Sequence, residues 1–135
     1  ATEIVPREEL ATSGGPMQSE RWSGGVDTVG GATLANLYAQ TAYEGAIACC
    51  GMAGGHELAT TVWPLILRNV SLLGVSSIRP SKAKRVAAWN ALAREIDPAR
   101  LASLSKTEPL SRIEEMSRAI LAGQIRGRVV IDVNT

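Results

Sequence analysis

Three short apolar runs, each followed by a stretch with helical patterning, limit what this chain can fold into. Val26-Asp27-Thr28-Val29 lies between Gly24-Gly25 and Gly30-Gly31, and a β-branched run bounded this way reads as a strand. Ala46-Ile47-Ala48-Cys49-Cys50 is continuously apolar and stops at Gly51, the pattern of a strand buried on both faces of a parallel sheet. The third run is Val70–Val75, VSLLGV. Between the first two, Leu34, Leu37, Tyr38 and Thr41 share one helical face, which predicts a helix over 32–42. Val62–Leu67 reads as a short apolar helix, with Pro64 tolerable in its first turn. Alternation of this kind implies βαβ units and a parallel sheet with helices on both faces.

The rest of the chain continues the pattern. Ile4 and Val5 precede Pro6, so this piece is extended, and 8–24 reads as a short helix at best and then a loop. Ser81 caps a predicted helix over 81–96 that carries Val86, Trp89, Leu92 and Ala93 on one side, with Trp89 expected in the core. A short strand is expected within 101–110. A helix from Ser111 carries Ile113, Met116 and Ile120 and stops at Gly123, and Arg128–Val133 closes the chain as a strand.

Composition narrows the class. With 45% hydrophobic and 20% charged residues the chain can bury a core as an ordinary globular protein does. Its 14 basic residues against 13 acidic ones, with no basic block, argue against nucleic acid as a partner. No apolar run approaches the roughly 18 residues that cross a bilayer, so no membrane partner is expected. The opening ATEIVPREEL lacks a signal-peptide pattern, and the expected location is cytoplasmic. Cys49 and Cys50 are neighbours whose side chains point to opposite faces of a strand, so they read as two small buried hydrophobes rather than a bridge. One histidine and one cysteine pair do not make a zinc site.

Candidate chemistry sits where strands end. Gly30-Gly31 and Gly51-Met52-Ala53-Gly54-Gly55 each follow a strand. They are either tight strand-to-helix turns or places where a ligand's ring or phosphate approaches the backbone. The dinucleotide fingerprint G-x-G-x-x-G is absent. His56 reads as an exposed loop residue, and Glu8-Glu9 and Glu114-Glu115 as solvated helix faces. Arg68 ends the helix before it, either as a cation complementing the helix dipole or as an anion-binding group, and Arg126 and Arg128 read as surface charge, with phosphate contact the alternative.

The run GGVDTVGGATLANLYAQTAYEGAIACCGMAGGHELATTVWPLILRNVSLLGVSS resembles the second half of the cofactor domain of medium-chain dehydrogenases/reductases. CGMAGG, TTVWPLILRNV, LLGVSS and the tail AILAGQIRGRVVIDVN resemble its zinc-free quinone-oxidoreductase-like branch, which includes acryloyl-CoA reductases. The resemblance implies an α/β fold: the C-terminal half of a Rossmann-type doubly wound parallel sheet, plus a returning C-terminal helix and strand. It implies NADPH as cofactor and reduction of an activated carbon–carbon double bond, in an enoyl thioester such as acryloyl-CoA or a quinone-like acceptor. By resemblance the backbone of Met52 lies near the nicotinamide ribose, Ile66 lines the nicotinamide pocket and Ser77 lies near the carboxamide. Gln124 reaches the cofactor from the returning strand, and Arg7 helps hold the adenosine 2′-phosphate. No catalytic residue and no metal ligand are expected in this stretch.

The departures from the family pattern carry their own expectations. A GroES-like substrate domain, the first two Rossmann strands and the glycine fingerprint are not found, so Ala1 is expected to begin in mid-domain. Residues 1–100 then form a partial NADP(H)-binding domain with strands 3 to 6, and 101–135 a return segment that packs on the absent GroES-like catalytic domain. In the strand order 3-2-1-4-5-6, EIVPR is left unattached and the edge of VDTV unpaired. RVVIDV is expected to lack its partner as well. The resemblance further implies a homodimer through Ser71–Val75. The alternative is a catalytically inactive product that serves only as a homodimerisation module.

Overall fold

A computed structural model of the chain describes residues 3–12 and 14–135. Ser13, within the expected helix and loop, and Ala1, the expected mid-domain start, lie outside the described residues. The chain divides into two compact units, Ala1–Arg79 and Pro80–Thr135.

The first unit opens with Ile4–Pro6 in no regular structure and a one-turn helix α1, Glu8–Ala11. Strand β1, Trp22–Asp27, leads through α2, Gly31–Ala39, to β2, Thr41–Cys49. The short helix α3, Trp63–Leu67, then leads to β3, Ser71–Gly74. The strands form one parallel sheet in the order β1-β2-β3, with Asp27 beside Cys49 and Cys49 beside Gly74. Their carboxyl ends therefore share one edge, as the βαβ reading expects. Among the described residues the outer edge of β1 is unpaired.

Strand β1 begins earlier and ends earlier than its β-branched run. Gly24 and Gly25 lie inside it, because a side chain at either would press on a neighbour: a Cβ would stand 2.8 Å from the Ala46 carbonyl oxygen at Gly24 and 3.0 Å from a Leu37 methyl at Gly25. Thr28 and Val29 leave the strand because the side chain of Asp27 takes the amide of Val29. Strand β2 bulges before Ala46, where Glu44 has φ 58°.

The core follows the predicted helical face. Leu34, Tyr38, Ile47 and Val70 are buried together, with Leu37, Cys49 and Leu72 packed against them. Gly25, Ile47 and Leu72 share a rung facing α2, and Ile47 is fully buried. The next rung points away: Val26 is 73% and Leu73 52% exposed. Strand β2 is thus covered on one face within this unit, where its continuous apolar run predicted burial on both. Cys50 is correspondingly exposed and Cys49 half-buried; both thiols are free. An apolar run marks the faces that can be buried, and it carries no information on whether an element lies over each of them.

The second unit begins with α4, Lys82–Glu95, capped by Ser81, whose hydroxyl accepts the Lys84 amide at 3.3 Å. A further turn, α5, Pro98–Ser103, is capped by Asp97 and occupies part of the span read as strand. Strand β4, Ser105–Pro109, follows. A 3-10 turn, Leu110–Arg112, precedes α6, Ile113–Leu121, so Ser111 lies one turn before the helix proper. Gly123, at φ 69°, ends it as expected.

The closing strand β5, Arg128–Asp132, is not partnerless. It pairs in parallel with β4, from Ser105 beside Arg128 to Pro109 beside Asp132. The expectation assumed that its partner lay outside the chain, and β4 supplies one locally through a β4-α6-β5 crossover. Trp89 is also corrected: it is 65% exposed and α4 buries no residue. The spacing of Val86, Trp89 and Leu92 names the face a helix would bury, and within this unit nothing covers that face. Among the described residues no helix is long and apolar enough to cross a membrane.

Candidate functional site

The chemistry available to the first unit gathers at the shared carboxyl edge of its strands. Asp27 closes β1 and is buried at 3% exposure. Its carboxylate accepts the Gly30 amide on Oδ1 at 3.1 Å and Oδ2 at 2.9 Å, and the Val29 amide on Oδ1 at 3.2 Å. This turns the chain through Gly30, at φ 70°, and Gly31, at φ 57°, straight into α2.

The second glycine loop lies against the first. Cys50 donates its amide to Asp27 O at 2.9 Å, Ala53 to Thr28 O at 3.4 Å and Gly54 to Val29 O at 2.7 Å. Gly30 and Gly55 form an isolated parallel bridge. A Cβ at Gly30 would overlap the Gly55 carbonyl and stand 3.3 Å from the Met52 Cα. The two turns left open by the sequence are therefore one double loop built backbone on backbone. A shallow cavity of about 360 Å³ opens beside it, lined by Gly31, Ala32, Ala35, Gly54, His56 and Ala59. Burial, with Asp27 and Cys50 nearby, pushes the Cys49 thiol up, so it is protonated at neutral pH and ill suited as a nucleophile.

Of the five residues expected to meet a cofactor, two follow the carboxyl ends of neighbouring strands. Met52 sits in the loop that leaves β2 and is 69% exposed. Ser77 follows β3, whose pairing continues to Val75, which donates to Cys49 O at 2.9 Å. Both thus stand beyond neighbouring strand ends on the same edge. Ile66, 70% exposed, is on α3, which is anchored toward the opposite end of the sheet. Arg7, exposed, precedes α1 in a segment that Glu3 and Glu9 tie to Arg21, just before β1 starts. Gln124, exposed, belongs to the second unit. His56 is exposed, as expected.

Arg68 does more than complement a helix end. Its guanidinium donates to Ala39 O at 2.9 Å, Thr41 O at 3.3 Å and Gln18 O at 2.6 Å, and pairs with Glu20 at 3.2 Å. It ties α3 to the start of β2. Burial pushes the Tyr38 phenol up, with a hydrogen bond from the Leu65 backbone acting the other way. A line of hydrogen bonds, donated from the Trp22 indole to Gln40, from Gln40 to Gln18 and from Gln18 to Asn36, then pins the carbonyls of Leu10 and Thr12 onto α2.

Sequence patterning alone does not single out Asp27 as a site-building residue. A local signal is present: an aspartate closing a strand two and three positions before the amides of Val29 and Gly30 is an Asx-turn pattern. Among the described residues no three His, Cys, Asp or Glu side chains are grouped to hold a metal ion.

Parallel strands joined by helices, with backbone-lined loops at their common carboxyl edge, define a Rossmann-type α/β half-sheet. No family model matches the chain. Comparison with individual proteins is specific. The chain is 43% identical to acrylyl-CoA reductase AcuI of Ruegeria pomeroyi, over 99% of this chain and 41% of that protein. The crystal structure of Escherichia coli K-12 YhdH with bound NADPH superposes at a TM-score of 0.93 with 40% identity, over 99% of this chain and 41% of that one. Bacillus subtilis YhfP, with NAD bound, superposes at 0.89 with 33% identity, over 98% and 41%. Over nearly its whole length the chain is thus similar to members of the medium-chain dehydrogenase/reductase superfamily, acrylyl-CoA reductases among them. It spans about two-fifths of the length of the curated relatives it matches.

Proposed function

We propose that this chain is the C-terminal part of the cofactor domain of an NADPH-dependent oxidoreductase that reduces an activated carbon–carbon double bond. The acceptor is an enoyl thioester of the acryloyl-CoA kind or a quinone-like molecule, and the enzyme works in the cytoplasm. One observation carries the reading: β2 and β3 are adjacent and parallel, and their carboxyl ends open onto the double glycine loop. Open space at this edge supports the approach of a flat ring: nothing stands within 4 Å of where a Cβ would be at Gly55 or Gly74. NADPH, when bound, supplies a hydride for the β-carbon of the acceptor, and a proton completes the addition at the α-carbon.

The residues of this chain bind and orient. The Met52 backbone faces the nicotinamide ribose and Ser77 the carboxamide, which their neighbouring strand-end positions support. Ile66 lines the nicotinamide pocket, Gln124 approaches from the returning strand and Arg7 meets the 2′-phosphate, all three on the strength of the family resemblance. Residues 1–100 serve the cofactor, and 101–135 pack on a substrate domain. Ser71–Val75 pairs with its copy in a homodimer. The outer edge of β3, unpaired among the described residues, with Leu73 and Val75 about half exposed, supports this.

The test is acceptor-dependent oxidation of NADPH by the full-length protein carrying this chain, with acryloyl-CoA and a benzoquinone as acceptors. Turnover with either supports the reading, and its absence with both overturns it. The open β3 edge also favours a second reading, a module that only self-associates. It requires the 135-residue chain to sediment as a dimer and to leave NADPH fluorescence unchanged.

A further inference from the structure

We propose that Asp27 is the positioning residue of the cofactor edge, acting on bound NADPH through Gly30 and the Met52 backbone. The inference rests on the reductase reading above and adds a residue to it. The carboxylate is buried at 3% exposure and is spent on main-chain donors. Both of its oxygens accept the Gly30 amide, and Oδ1 also accepts that of Val29. Burying a carboxylate is costly unless hydrogen bonds meet it, and two amides converging from one tight turn meet that cost.

What those bonds hold in place is the face that Gly30 offers to the second loop. With Gly30 at φ 70°, its absent side chain leaves room for the Gly55 carbonyl, and the Met52 Cα stands 3.3 Å from where a Cβ would be. The Asp27 main chain works in the same sense, accepting the Cys50 amide at 2.9 Å and the Cys50 Sγ at 3.3 Å. One residue thus fixes where the first loop turns and where the second begins. Met52 is placed by backbone contacts that trace to Asp27, and its own side chain, 69% exposed, takes little part. Without the carboxylate the Gly30 amide loses its side-chain acceptor, and the Met52 backbone is free to shift. Small displacements of groups that orient a reactant carry large penalties.

The experiment compares Asp27→Ala and Asp27→Asn in the full-length protein carrying this chain, by fluorescence titration of NADPH and steady-state kinetics. Asn keeps an oxygen where Oδ1 accepts both amides, so the two variants separate hydrogen-bond geometry from the mere presence of a polar side chain. Asp27→Ala is expected to weaken NADPH binding roughly tenfold or more, and Asp27→Asn to restore it to within about threefold. The acceptor KM at saturating NADPH is expected to stay as in the parent, which a general loosening of the fold would not allow. Binding by Asp27→Ala within about twofold of the parent, or Asp27→Asn as weak as Asp27→Ala, overturns the inference. Should Asp27→Ala fail to fold, Gly30→Ala carries the test with Asp27 intact: it must weaken NADPH binding, and unchanged binding overturns the inference. A parent protein that binds no NADPH overturns the reductase reading along with it, whereas a parent that binds and variants that match it overturn this inference alone.

Discussion

Arg68, just past the end of α3, donates through Nη2 to the carbonyl oxygen of Gln18 at 2.6 Å, fifty residues earlier in the chain. With its bonds to Ala39 and Thr41 and its pair with Glu20, it joins the loop before β1, the end of α2, the start of β2 and α3. The side chain is 14% exposed, so these groups have little water to fall back on.

Removing that guanidinium leaves three main-chain oxygens short of a donor. Arg68→Ala is expected to destabilise the fold by about 3 kcal/mol. Arg68→Lys should lose about half as much, because an ammonium cannot fork toward several carbonyls at once. Urea unfolding monitored by tryptophan fluorescence checks both values, and equal losses for Lys and Ala would refute the forked role.

Glu44 occupies the left-handed region at φ 58° in the β2 bulge, with its amide donating to Arg68 O at 2.7 Å. A side chain there is strained by roughly 1 kcal/mol, and glycine is not. Glu44→Gly is therefore expected to hold or raise stability, by up to about 1 kcal/mol, against the usual direction for glycine in a strand. Glu44→Val should lower it by about 1 kcal/mol, since a β-branched residue tolerates that region least. Thermal unfolding of the pair gives the sign directly.

Acid sensitivity of the second unit should centre on Glu108. Its side chain is 6% exposed, with Lys106 at 2.5 Å and Arg112 at 2.7 Å. These cations, Lys106 foremost, hold its carboxyl below the usual carboxylate range, and Arg112 does the same for Glu115. A folded pKa below the unfolded one means stability that is present above the unfolded value, near about 4.3, and is lost as pH falls through the folded one. Glu108→Gln is expected to be less stable at neutral pH and to lose less on acidification below about pH 4. Melting temperatures of both proteins from neutral pH downward test this, and parallel curves would count against the ion cluster.

The dimer proposed at β3 makes its own prediction. Leu73 is 52% exposed on an edge strand whose outer side is unpaired among the described residues. A charge there, Leu73→Lys, opposes edge-to-edge pairing while leaving the rung buried beneath α2 untouched. Analytical ultracentrifugation of the full-length protein should show dimer for the parent and monomer for the variant. A parent that sediments as a monomer would end the proposal.

Much of the local structure is legible in the sequence, because caps, turns and periodicity act over a few residues. The Ser81 cap, the Gly123 stop and the face of Leu34, Leu37 and Tyr38 need only their neighbours in the chain. The alternation of strands and helices likewise implied a parallel sheet, and the β1-β2-β3 order agrees. Tertiary structure alone decided three things. It gave β5 a partner in β4, it left Trp89 and one face of β2 uncovered within their units, and it stacked one glycine loop on the other. Each depends on which distant segment arrives beside a residue. Pairing and burial are set by such long-range approach, whereas a pattern of residue types records only which approaches the chain can accept.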